Sequence, residues 1–108
     1  MENNWSYGDY RIHEGMKMQT PHFQYFYTIF KGTEKICNYC IWIEDDALPA
    51  FDPSRDFEVI AGSHKEDWST WVKGNIDRKD FRNLVLKHGK GYKEEIDLDK
   101  TKEKISMD

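Results

Sequence analysis

The stretch from His22 to Leu48 holds the densest run of aromatic and β-branched residues in the chain, and it restricts the fold more than any other feature. Two apolar runs, Phe23 to Phe30 and Ile36 to Ile43, flank Lys31-Gly32-Thr33-Glu34-Lys35. Runs of this composition, bounded by a glycine-containing turn, favour strands over helix. Gly32-Thr33 suits a two-residue type II′ loop, because glycine at the first central position supplies the positive φ that this turn requires. That loop predicts a register: Lys31 opposite Glu34, Ile29 opposite Ile36, Tyr27 opposite Asn38, Tyr25 opposite Cys40 and Phe23 opposite Trp42. The other side of the ribbon then carries Phe26, Thr28, Phe30, Cys37, Tyr39 and Ile41, so neither side is polar enough to face water plainly.

The flanking segments supply the rest of the expected architecture. Residues 5 to 15 alternate weakly between Gly8 and Gly15 and read as a short first strand. Asp52-Pro53 matches a helix start, with Asp as N-cap and Pro in the first turn. Phe57, Ile60, Ala61, His64, Trp68, Trp71 and Val72 recur at helical spacing, although Ser63-His64-Lys65-Glu66 resembles a capping box. The spacing therefore predicts helix over 64–73 and leaves 53–61 open between helix and strand. Phe81, Leu84, Val85 and His88 mark a second helical face, and Tyr92 to Leu98 alternates as a charged edge strand. The expected fold is α+β: an antiparallel sheet of three or four strands built on the central hairpin, with two helices packed on one face. At 108 residues it forms one domain over 1–99, with 100–108 as a frayed tail.

Composition narrows the function classes. There are 16 Lys+Arg against 20 Asp+Glu, a formal net charge of -4, which gives no global attraction to nucleic acid or anionic membrane. No basic and apolar leader opens the sequence and no apolar run is long enough to span a bilayer, so a cytoplasmic protein is expected, with no membrane partner and both cysteines reduced.

Cys37-Asn38-Tyr39-Cys40 has metal-ligand spacing, and His13 and His22 could complete a Cys2His2 set. Yet positions i and i+3 of a strand point to opposite faces, so the expectation is core thiols and no metal or other cofactor. Glu44, Asp45, Asp46, Asp52 and Asp56 are acidic neighbours without the pattern of an EF-hand loop. No nucleophile elbow, P-loop or dinucleotide fingerprint is present, and nothing points to catalysis. The remaining candidate site is an aromatic hairpin face of Phe26, Phe30, Tyr39 and Ile41, left open opposite the helices. It suits a protein partner or a second copy of the chain. The expectation is thus a small non-catalytic protein-binding or regulatory domain. The rivals are single-stranded nucleic-acid binding through stacked rings on that face, with Lys31, Lys35 and Arg11 nearby, and a small enzyme without a recognisable motif.

Overall fold

A computed structural model describes residues 2–19, 22–44, 47, 57–89 and 92–100. Its strands are β1 (Glu2–Tyr7), β2 (Tyr10–Gln19), β3 (His22–Lys31), β4 (Glu34–Ile43), β5 (Leu84–Gly89) and β6 (Tyr92–Asp97), with helix α1 (Phe57–Asp77) between β4 and β5. The strands form one six-stranded sheet in the order β1-β2-β3-β4-β5-β6. All neighbours are antiparallel except β4 and β5, which run parallel. This corrects the expected sheet of three or four strands with two helices: the sheet has six strands and is mixed, with one α-helix among the described residues.

Glycine builds the first two-residue turn as well as the central one. Gly8 and Gly32 have φ of +60° and +62°, and the pairs Tyr7↔Tyr10 and Lys31↔Glu34 close two hairpins. Gly8 is therefore a turn and not the boundary of a first strand, while Gly15 lies inside β2. The central turn is as expected, but the register beyond it is not. Ile29 pairs with Cys37 and Phe30 with Lys35, leaving Ile36 as a bulge. One extra residue turns the rest of β4 over. Tyr27 now faces Tyr39, Tyr25 faces Ile41, and Phe23 faces Ile43.

Helix α1 runs through Gly62 without a break. Gly62 lies on the exposed side of the helix. Its cost of about 1 kcal/mol in helix propensity is outweighed by burial of Ile60, Ala61, Trp68, Val72 and Ile76 on the opposite stripe. At the C-terminal end Asp80 N–H donates to the Asn75 carbonyl and Lys79 N–H to that of Ile76. Lys79 takes φ of +55°, so the helix ends in a Schellman motif with lysine where glycine is usual. The proposed start at Asp52-Pro53 lies outside the described residues, as does the tail from 101 onward.

The second expected helix is strand β5. Leu84 and Leu86 face α1 while Val85 lies in a separate cluster with Cys40 and Leu98. A parallel strand buried on both faces reads as an unbroken apolar run, which over three residues also satisfies helical spacing. The main core lies between α1 and the inner face of the sheet: Ile12, Phe23, Tyr25, Tyr27, Ile29, Tyr39, Ile41 and Ile43 are all buried beneath the helix layer.

Candidate functional site

The bulge at Ile36 divides the aromatic face expected from the sequence. Phe26 and Phe30 are half-buried on the outer face of the sheet, where the Arg11 guanidinium lies 4.8 Å from the Phe30 ring centroid. Tyr39 and Ile41 are fully buried on the inner face. The four do not form one surface. Cys37 belongs to the main core and Cys40 to the second cluster, and neither is in a disulfide. Burial raises the Cys37 thiol to about 11. His13 Nδ1 lies 2.9 Å from Asn4 Oδ1, on the outer face opposite Thr28, and the His22 side chain is outside the described set. No group of three or more His, Cys, Asp or Glu among the described residues is placed to hold a metal ion.

The structure brings together a different constellation, centred on Glu14. In β2, Ile12 and Glu14 are two residues apart and so share the inner face. Glu14 is thus a carboxylate carried into the core, with its side chain 0% exposed. Its Oε1 accepts a hydrogen bond from Asn3 Nδ2 at 3.0 Å and an ion pair from Lys65 Nζ at 3.1 Å. Its Oε2 is buried, and the hydroxyls of Tyr25 and Tyr27 lie beside the carboxylate as hydrogen-bond donors to it. Both phenols are held well above the usual tyrosine range, first by burial and then by the negative charge of Glu14. The Ser69 hydroxyl beside Tyr27 acts in the opposite direction.

Glu14 lines a cavity of about 150 Å³ together with Asn3, Trp5, Lys65, Ser69 and Lys73. Lys65, Ser69 and Lys73 stand at i, i+4 and i+8 of α1, one stripe along the helix. Asn3 and Trp5 stand at i and i+2 of β1, on the side of that strand turned toward them. The Lys73 ammonium lies 5.5 Å from the Trp5 ring centroid and 5.7 Å from that of Tyr7. Tyr7 in turn donates its hydroxyl to Asp77 at 2.9 Å. The aromatic edge of β1 therefore holds Lys73 over the cavity. The walls offer two ammonium groups, a hydroxyl, an amide and an indole, with the Glu14 carboxylate beneath them.

Two sequence signals could have found this site: the charged residue continuing the inward Tyr10, Ile12 alternation, and the Lys-x3-Ser-x3-Lys spacing on the helix. Neither pattern is specific without the sheet order that brings β1 beside α1. No family model, curated protein or solved structure matches the chain.

Proposed function

We propose that the protein is a non-catalytic binding module that takes a small polar molecule into the cavity between β1, β2 and α1. The observation that supports this is the depression of about 150 Å³ in which Asn3, Trp5, Glu14, Lys65, Ser69 and Lys73 converge. Ligand pockets commonly combine a few convergent polar groups with an aromatic wall, and Trp5 provides such a wall here. Two buried cysteines outside any disulfide suit a reducing compartment such as the cytoplasm. Titrating the full chain with a fragment panel of cations, anions, zwitterions and neutral amides should shift the Trp5 indole and Asn3 side-chain amide resonances. A panel in which no class moves either signal would overturn the pocket.

A protein partner or second copy remains a further reading, supported now by an edge of the sheet instead of its face. Strand β1 has no proline, lysine or arginine, whereas the other edge, β6, carries Lys93, Glu94, Glu95 and Asp97. An edge whose one charged residue is Glu2 is open to strand addition. Because the pair flanking a two-residue turn exchanges both hydrogen bonds, the amides of Asn4 and Ser6 point away from β2. Ser6→Pro should therefore abolish self-association or strand capture while leaving the melting temperature within a few degrees. Unchanged association by sedimentation would exclude the β1 edge.

A further inference from the structure

We infer that two copies of the chain pair through their β1 edges, antiparallel and centred on Asn4, and that each copy sets its Trp5 beside the depression of the other. This deepens the edge reading and rests on it. Strand β1 is outermost in the sheet, and Asn3, Asn4 and Ser6 are exposed. The pair Tyr7↔Tyr10 flanks the two-residue turn, so Asn3, Trp5 and Tyr7 exchange backbone hydrogen bonds with β2. The N–H and C=O groups of Glu2, Asn4 and Ser6 therefore face outward.

These three outward residues are self-complementary. A two-fold axis at Asn4 sets Glu2 opposite Ser6, Asn4 opposite Asn4 and Ser6 opposite Glu2, and every such pair exchanges both of its hydrogen bonds. No outward donor or acceptor of β1 is left over. An axis at Asn3 would leave Ser6 unpaired, and an axis at Trp5 would set Glu2 against Gly8 in the turn of the other copy. An axis at Glu2 would place like charges opposite each other, which is destabilising. In the Asn4 register the two Glu2 residues are about 13 Å apart along the seam. The outward residues are all polar, so a foreign strand gains main-chain bonds here but no apolar pocket for its side chains. A second copy meets the main chain completely.

The seam also extends the depression. Asn3 stands opposite Trp5 of the second copy in a pair without mutual backbone bonds, with Cα atoms about 4.5 Å apart and both residues on the inner face. Asn3 is part of the lining, so the second copy adds an indole at its exposed edge.

The test is cross-linking of cysteine variants of the full chain under mild oxidation, with sedimentation of the unmodified chain up to millimolar concentration. Cys37 and Cys40 are buried and stay out of the reaction. Asn4→Cys should form a disulfide dimer, because a hydrogen-bonded antiparallel pair sets its Cα atoms about 5.5 Å apart, within the reach of a disulfide. Ser6→Cys should not link to itself, its counterpart lying about 13 Å away, but should link to Glu2→Cys when the two variants are mixed. Ser6→Pro combined with Asn4→Cys should abolish the link. Asn4 and Ser6 are exposed, so each variant should keep its melting temperature within a few degrees. The Trp5 indole resonance of the unmodified chain should move as the concentration rises. If Ser6→Pro breaks self-association yet Asn4→Cys does not link, or Ser6→Cys links to itself, the register is wrong and the edge stands. If self-association survives Ser6→Pro, the edge itself is wrong. A chain that stays monomeric at millimolar concentration overturns the second copy.

Discussion

Raising the pH above 10 is expected to unfold the protein cooperatively. Tyr25, Tyr27 and Tyr39 are fully buried, and each phenol is raised above its ordinary value of 10.0. Burial is the first cause in all three, followed by the Glu14 charge at Tyr25 and Tyr27 and by the Cys37 hydrogen bond at Tyr39. In the unfolded chain these groups release protons near 10, while in the fold they keep them. The unfolded state then binds fewer protons, so the stability present below pH 10 is lost as the pH rises. With one unit worth about 1.4 kcal/mol per group, three phenols give a slope approaching about 4 kcal/mol per pH unit. Cys37 contributes earlier, from its ordinary 9.0 up to about 11. Two pH units would thus remove about 8 kcal/mol, a large part of the roughly 5–15 kcal/mol of an ordinary domain. Tyrosinate absorbance near 295 nm should rise together with loss of circular dichroism. Titration of all six tyrosines around pH 10 with the dichroism intact would contradict the buried tyrosine core.

Trp68→Ala is expected to cost about 3–5 kcal/mol, the range for removing a large ring from a packed core. Trp68 is 3% exposed, with its ring centroid 5.8 Å from Phe23 and 5.4 Å from Tyr25. It therefore joins the helix to the middle of β3. Trp71 provides the internal comparison. It is half-buried, meets Tyr39 edge-on at 5.6 Å and donates its indole N–H to Glu95 at 2.8 Å, so its loss should cost clearly less. Urea denaturation of the two variants measures both values, and a Trp68→Ala loss below about 1 kcal/mol would mean that this face of α1 does not anchor the sheet.

The central hairpin and its turn, the inward stripe of α1 and the charged strand β6 were legible because each depends on local chemistry: glycine at positive φ, apolar residues four apart, alternation with charge. Three features were not. The bulge at Ile36 carries no residue type that announces it, yet it moves Tyr39 and Ile41 from one face of the sheet to the other. Strand β5 is too short for periodicity to separate it from helix, and its identity comes from pairing with β4, a contact between distant parts of the chain. The Glu14 site depended on that same long-range order. Its carboxylate and lysines come from β2 and α1, and only the assembled sheet shows that they meet.

The parallel seam between β4 and β5 has a kinetic consequence. The β1–β2 and β3–β4 hairpins each close a loop of two residues, whereas pairing Ile43 with the strand that begins at Leu84 must first close residues 44–83. Loop entropy makes that closure roughly 2–3 kcal/mol more costly than a hairpin turn, before any contact is gained. The four-stranded meander can therefore zip from its turns as a local process, while β5 and β6 join as a unit once α1 has settled on Phe23 and Tyr25. The sheet is thus continuous in space but joins a local meander to a seam of higher closure cost, and the depression beneath β1 needs both the meander and the helix that roofs it.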